Sequence, residues 1–516
     1  MPTAVLIDTV SIQAYIFGSN KLKENIGASH IIEHWIYPRM IPKALDAAGF
    51  KEGLQVDEWK SKPEDFYKLE QDEEARVEIG YIGGGNALIL FRDIKDAQLF
   101  IRTYSKLVLQ YFPGIRTAFA IGPLDYEAEF AQQRRELNDQ LVQNKNRYFI
   151  NATPFKHGVV EDCPLSNEGQ EVDFDKNTTN ISYSSYVRLK AAEESQKLLA
   201  KQYAPTLGSR YTFTTELEEL GQPEEKSYIA IVHADGNGMG ERFIKCNSLA
   251  DVRTLSKGVA DLASQTMEKL IAHVVELFNN KLKKEENGFR LFGKKNNGKL
   301  KLPIRPIISG GDDITFVCEG RLGVYLAEKL LEFMTKIPVA SKEISACAGV
   351  SIVHTKYPFY RAYRLSEELI KKAKEVSRAK NDSWINFLIS SGGFSGSLDD
   401  ILQQQYSRPD SKLLLTMAPY KFGTGENSLQ ELKKGIEVLS AKWPRNKQKA
   451  LRDILRKDEV SKQYFLAELE ARGLSLPKFK GGKYDETIWD NHTTPYFDMV
   501  ELMDFYPKTL LAENKL

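Results

Sequence analysis

Cysteine is scarce in this chain of 516 residues: Cys163, Cys246, Cys318 and Cys347 each stand alone. No pair has the spacing of a zinc site or of a disulfide framework, so buried single thiols in a reducing compartment are expected. An excess of one charge is also missing. The 71 Lys and Arg against 70 Asp and Glu leave a net charge of +1, which excludes a global field drawing the molecule onto nucleic acid. No apolar run reaches the length of a membrane span, and no basic-then-apolar signal opens the chain. A cytoplasmic protein of three or four domains, with no membrane partner, is the expectation.

Against that background one stretch carries chemistry. Ile307-Ile308-Ser309-Gly310-Gly311-Asp312-Asp313-Ile314-Thr315-Phe316-Val317 reads as strand, glycine turn, paired carboxylates, strand. Glycine supplies positive φ and aspartate tolerates it, so a plain β-hairpin is one reading. The other is a divalent-metal site for phosphoryl chemistry. Two carboxylates ~4 Å apart repel by about 4 kcal/mol at an effective dielectric of 20, a strain that a cation relieves.

Upstream, Tyr228–Ala234 forms an apolar run that ends in Asp235, followed by Gly236-Asn237-Gly238-Met239-Gly240. The pattern predicts a buried strand ending in a carboxylate, then a loop whose bare N–H groups can wrap a polyphosphate. Asp235 with Asp312 and Asp313 supplies three carboxylates from two adjacent strands, enough for two magnesium ions.

The order of elements then repeats. Thr3–Ile7 is an apolar run ending in Asp8, and Ile79–Phe91 is strand, Gly83-Gly84-Gly85-Asn86 turn, strand. Asp8 precedes Gly83 by the same number of residues as Asp235 precedes Gly310, although each copy carries its own insertion. Helical periodicity follows in both copies (Ile94–Phe112; Arg321–Lys336), then a further strand (Ile115–Ile121; Ser345–Val353). This is β-α-ββ-α-β twice, an α+β chain with two ferredoxin-like units in tandem. Gly85 and Asn86 stand where the second copy has Asp312 and Asp313, so the first copy keeps the turn without the acids.

The combination resembles the large subunit of type III CRISPR effector complexes, whose tandem GGDEF/cyclase-type palm domains make cyclic oligoadenylates from ATP. The likeness rests in the first palm on Ser11-Ile12-Gln13-Ala14-Tyr15-Ile16-Phe17, Gly27-Ala28-Ser29 and Gly83–Asn86. In the second it rests on Asp235–Gly240, Gly310–Asp313, Ala348–His354, Glu367–Lys374 and Lys380–Phe387. It covers most of residues 1–395. Many members begin with an HD nuclease domain and carry a cysteine-rich zinc element between the palms. Here the sequence opens on the first palm strand, none of the 7 histidines precedes an aspartate, and the linker holds only Cys163. Neither HD cleavage nor zinc is expected.

The organisation expected is a degenerate, nucleotide-binding first palm over 1–124, a mostly helical linker over 125–226, a catalytic second palm over 227–395 and a helical C-terminal domain over 396–516. Helical periodicity marks Asp125–Gln143 and Tyr186–Tyr203 in the linker, and residues 167–180 read as a loop. Beyond the second palm, Ser428–Leu439, Arg445–Arg456 and Val460–Leu474 are amphipathic. The aromatic tail Trp489–Tyr506 fits packing onto a palm or covering a partner. The charged stretch Lys281–Lys301 reads as a solvated insertion or as a basic arm for RNA or polyphosphate.

What the resemblance implies is two-metal joining of ATP with release of pyrophosphate, using Mg²⁺ or Mn²⁺. Asp235, Asp312 and Asp313 would be metal ligands and catalytic acids. Gly236, Asn237, Gly238, Gly240, Ser309, Gly310 and Gly311 would cradle phosphates, and Lys374, with Lys371 a weaker candidate, would reach the triphosphate. Ser29, Gly83, Gly84, Gly85 and Asn86 would hold a second ATP. Effector subunits or RNA could dock on the C-terminal helices, and oligomeric state is left open. A non-enzymatic scaffold subunit is the alternative reading, and a linear nucleic-acid polymerase a third.

Overall fold

The computed structural model describes the chain except residues 51–55, 62, 64–66, 148–157, 167, 174–179, 223–226, 283–288, 294–297, 381, 391–395, 408–412, 491 and 512–516. Of the Lys281–Lys301 arm, residues 283–288 and 294–297 lie outside the described residues, as do 167 and 174–179 of the 167–180 loop. Within the same stretches, Val172–Asp173 pairs with Asn180–Ile181, and Leu300–Lys301 pairs with Tyr211–Thr212.

The first half contains β1 (Thr3–Val10), β2 (Val77–Gly83), β3 (Asn86–Phe91) and β4 (Arg116–Pro123). Their order is β2-β3-β1-β4 with every pair antiparallel, the ferredoxin-like arrangement the sequence predicts. β1 is central, which is why Ala4, Val5, Leu6 and Ile7 are all buried rather than alternating. Between the strands run α1 (Leu22–His30) and α2 (Ile94–Tyr111). The side chain of Asp93 caps α2 by accepting from Lys95 N–H, and Ala97, Phe100, Tyr104 and Val108 form its buried stripe. The linker adds α3 (Phe130–Lys145), which packs on β4 and β1, and α4 (Tyr183–Gln202), which packs on α1.

The second half repeats the pattern with β5 (Tyr228–Gly236), β6 (Ile304–Gly310), β7 (Asp313–Glu319) and β8 (Ala346–His354) in the order β6-β7-β5-β8. Its helices are α5 (Leu249–Asn280), α6 (Gly323–Thr335) and α7 (Phe359–Lys380). The sheet extends further than the first: β9 (Trp384–Ser390) lies parallel to β8, and Tyr420–Lys421 pairs beyond it. α7 is pressed onto β8 at Gly349, where a Cβ would lie 2.2 Å from the carbonyl oxygen of Ser366. That close approach sets how near α7 side chains come to the ends of the central strands.

The two halves hold each other through their second strands. β2 slips register between Ile79 and Tyr81, and β6 between Pro306 and Ile308. Each bulge takes a polar side chain from the first long helix of the opposite half. Arg253 of α5 donates to the carbonyls of Gly80 (2.7 Å) and Ile79 (2.9 Å) and to the Glu78 carboxylate (2.7 Å). Ser29 of α1 donates to the carbonyl of Ile307 at 2.5 Å. Glu78 also accepts from Tyr126 Oη and Leu69 N–H, both at 3.1 Å. Neither Arg253 nor Glu78 exposes any side-chain surface.

The C-terminal residues form α8 (Leu429–Lys442), α9 (Arg445–Ile454), α10 (Glu459–Ala471) and α11 (Tyr496–Leu502). The aromatic tail turns inward onto the second half. Phe505 meets Tyr228 edge-on with centroids 4.9 Å apart, and Tyr506 Oη donates to Glu328, which also pairs with the buried Lys433. Asp498 is buried and accepts from Thr416 Oγ1, Met417 N–H and Tyr420 Oη. Burial pushes its carboxyl up to about 7 despite those bonds, with Glu501 adding to the rise. All four cysteines are buried free thiols. Among the described residues no helix is long and apolar enough to cross a membrane.

Two outcomes follow for stability. Arg253→Met strands a buried carboxylate and is expected to lower unfolding free energy by about 3–5 kcal/mol. Adding Glu78→Gln recovers part of the loss, because an amide oxygen still accepts from Tyr126 and Leu69; thermal melts of the two variants check this. The Asp498 carboxyl ionises later in the folded chain than in the unfolded one, so its stabilisation is full below about pH 4 and is lost as pH rises to about 7. The slope reaches about 1.4 kcal/mol per pH unit. Asp498→Asn removes it, so melting curves of variant and parent should diverge in the variant's favour between about pH 4 and 7; parallel curves would contradict the assignment.

Candidate functional site

Strand register brings the acids together. β7 pairs with β5 so that Asp313 lies opposite Asp235, while Gly311 and Asp312 make the two-residue turn back to Gly310. Gly311 has φ +77°, a value glycine adopts without strain. Gly236 N–H donates to the Asp312 carbonyl at 3.3 Å, which ties the turn to the end of β5.

The carboxylates differ in their surroundings. Burial first, and then the neighbouring Asp235 carboxylate, push Asp312 up to about 7. Asp313 is only half-buried; desolvation raises it, but the His233 imidazole and hydrogen bonds from His233, Gln13 and Thr315 outweigh that and hold it below the usual range. Reciprocally, burial pulls His233 down, and Asp313, with help from Asp235 and Glu367, raises it overall. Lys374 of α7 reaches Asp235 Oδ2 and lies 3.5 Å from the Gly236 carbonyl. Its ammonium stands where a cation would be drawn.

An all-oxygen set of crowded carboxylates, one of them pushed towards its neutral form by burial and then by its neighbour, fits a hard divalent cation. Among the described residues no three such side chains already stand at ligand geometry, with Lys374 held against Asp235. Lys371 and Arg378 stand one turn on either side of Lys374, both exposed. Arg378 was not singled out from the sequence, though its helical spacing from Lys374 was available.

The first half faces this site. Asp8 lies opposite Asn86, as Asp235 lies opposite Asp313, so Asn86 and Gly85 occupy the positions of Asp313 and Asp312. Gly84 has φ +58°, and a Cβ on Gly311 would lie 3.8 Å from Gly84 Cα, so the two glycine turns meet tip to tip. Tyr37 Oη donates to the Gly85 carbonyl at 2.6 Å. Lys145, from the helix after the fourth strand, pairs with Asp8 as Lys374 pairs with Asp235. Sequence reading missed Lys145; the signal available was a lysine in the helix that follows the fourth strand of each copy.

Other expected contacts lie elsewhere. The Asn237 amide donates to Ser345 Oγ (3.0 Å) and Ser377 Oγ (2.9 Å), fastening α7 to the start of β8. The Ser29 hydroxyl is committed to Ile307. Gly238 opens the short helix Met239–Ile244, and neither Gly238 nor Gly240 has an atom within 4 Å of where a Cβ would stand. Gly83 and Gly310 are open in the same way, and Ser309 pairs with Ile314 at the hairpin.

Residues 228–383 match the family described as Cas10/Cmr2, second palm domain. No curated protein matches the chain in sequence. Among solved structures it is similar to a Csm1–Csm4 cassette in complex with cA4, at 12% identity and a TM-score of 0.53 over 98% of this chain and 69% of that one. The same cassette in complex with one ATP gives 14% and 0.52 over 97% and 70%. Csm1 in T. onnurineus gives 15% and 0.54 over 98% and 70%. By sequence over its second palm and by fold over nearly its whole length, the chain resembles the tandem-palm large subunit of type III CRISPR effector complexes.

Proposed function

We propose that the chain is a metal-dependent nucleotidyltransferase that joins ATP into cyclic oligoadenylate-type messengers in antiviral defence. The observation that carries this is the grouping of Asp235, Asp312 and Asp313 at one strand end, facing the acid-free glycine turn of the other palm. Similarity to cassettes in complex with ATP and with cA4 supports the substrate and product class.

In this reading a ribose hydroxyl oxygen of one ATP bonds to the α-phosphorus of another. The bond to pyrophosphate breaks, and the hydroxyl proton leaves to water. Bound Mg²⁺ or Mn²⁺ would supply charge neutralisation for the polyphosphate and a lowered hydroxyl pKa. Asp235, Asp312 and Asp313 would hold the ions. Lys374 shifts from Asp235 to the triphosphate, with Lys371 and Arg378 flanking it. Gly310, Gly311 and the open glycines after Asp235 let phosphates approach the backbone. Across the cleft, Gly83, Gly84 and Asn86 orient the second nucleotide, with Lys145 and Asp8 behind them. The second palm therefore supplies charge and the first supplies alignment. Ser29 and the Asn237 side chain act here through the fold rather than on the nucleotide.

Effector subunits are the natural partners, since relatives of this fold occur in complex with Csm4. The scaffold alternative leaves the three acids without a task.

Labelled ATP with Mg²⁺ or Mn²⁺ is expected to give a cyclic product that falls at least about 100-fold in Asp312→Ala/Asp313→Ala. No product under any condition, with RNA and effector subunits added, would overturn the proposal; template-dependent ladders would point to a polymerase. Lys374→Met is expected to raise the half-saturating ATP concentration by about tenfold or more, the loss of a charge-assisted bond. Lys371→Met should change it much less.

A further inference from the structure

Asp313 is gripped on both oxygens, and one of the grips comes from the other palm. On β5, His233 lies two residues before Asp235 and so shares its face of the sheet. It is opposite Thr315, one diagonal step from Asp313, and its Nε2 lies 3.1 Å from Asp313 Oδ1, with Thr315 Oγ1 at 3.4 Å. Asp313 Oδ2 accepts from the side-chain amide of Gln13 at 3.4 Å. Gln13 belongs to the first palm. It sits on the one-turn helix Ile12–Ile16, which follows Ser11 in the left-handed conformation (φ 56°, ψ 47°).

A continuous ring stack links the two grips. His233 stacks on Tyr363 of α7 (centroids 5.6 Å, 13°), and Tyr363 stacks on Phe17 (3.5 Å, 18°), the residue that ends the helix carrying Gln13. The His233 ring is buried, so its orientation is set by this stack rather than by solvent. A carboxylate on a hairpin corner would otherwise sample several rotamers, and groups that fix a metal ligand's orientation commonly carry 10–100-fold of metal affinity.

We infer that Gln13 and His233 are positioning residues for Asp313, and that the Phe17–Tyr363–His233 stack makes the metal affinity of the second palm depend on its contact with the first. The inference rests on the reading of Asp235, Asp312 and Asp313 as metal ligands. Palm contact then acts on the site before any nucleotide bridges the cleft. Gln13 touches no reacting atom in this account, and neither does Phe17.

The test is Mn²⁺ titration of the full chain without nucleotide, followed by electron paramagnetic resonance. The half-saturating ATP concentration at saturating Mn²⁺ and the melting temperature are measured beside it. Gln13→Ala and His233→Phe, the latter keeping a stacking ring without the N–H, are expected to weaken Mn²⁺ binding about tenfold, with ATP half-saturation shifted less than about twofold. Phe17→Ala should weaken it in the same direction although it removes no atom near the carboxylate. His233→Gln, which keeps a donor, should recover part of the affinity. Parent-like Mn²⁺ binding in Gln13→Ala and His233→Phe, with binding lost in Asp235→Asn, would overturn this inference alone. Equal losses in His233→Phe and His233→Gln that track their melting temperatures would also overturn it, since His233 would then be structural only. Parent-like binding in Asp235→Asn would instead remove the metal-site reading beneath it.

Discussion

The buried pair of Arg253 and Glu78 is the constraint on which the rest of the arrangement depends. A bulge leaves the carbonyls of the buried Ile79 and Gly80 facing the opposite half. One guanidinium, with its donors in a fixed fork, meets two carbonyls and a carboxylate together. Because a buried ion pair barely repays its desolvation, its contribution lies in specificity as much as in stability: only one placement of α5 satisfies every group. With α5 fixed against β2, and Ser29 of α1 fixed against the equivalent bulge in β6, the two glycine turns meet tip to tip.

That placement gives the duplicated halves unequal parts. Both keep a strand-end aspartate paired with a lysine from the helix after the fourth strand, Asp8 with Lys145 and Asp235 with Lys374. Only the second adds two acids at the turn. Burial, and after it the Asp235 carboxylate, raise Asp312 while His233 and its neighbours lower Asp313, so two adjacent carboxyls on one turn are driven apart in their affinity for protons. The first half has a carboxamide and a glycine in those positions, where no comparable repulsion arises.

Much of this was legible in the sequence because it is local. Apolar runs around glycine turns gave away each β2–β3-type hairpin, and a carboxylate closing an apolar run marked the central strand in both copies. Asp312 and Asp313 share one turn and could be grouped from it alone, whereas Asp235, far upstream, joined them through the repeated order of elements and the family resemblance. Contacts that depend on which distant elements meet were not legible. Nothing in the periodicity of α5 says that Arg253 points into a bulge of the other half, nor that the hydroxyl of Ser29 does the same in reverse. Asn237 read as a phosphate contact because its loop looks like one, while the fold spends its amide on Ser345 and Ser377. The aromatic tail was ambiguous for the same reason, and its partners, Tyr228 and Glu328, lie far away in sequence.

The two bulges, each filled from the opposite half, also bear on control. If the halves were separate subunits, the cleft would form to an extent set by their concentration. Joined in one chain, they meet within a single molecule, so their contact does not depend on concentration. Abundance then ceases to be a usable lever. The fit of Arg253 and of Ser29 in their bulges then decides whether the two turns meet, one molecule at a time.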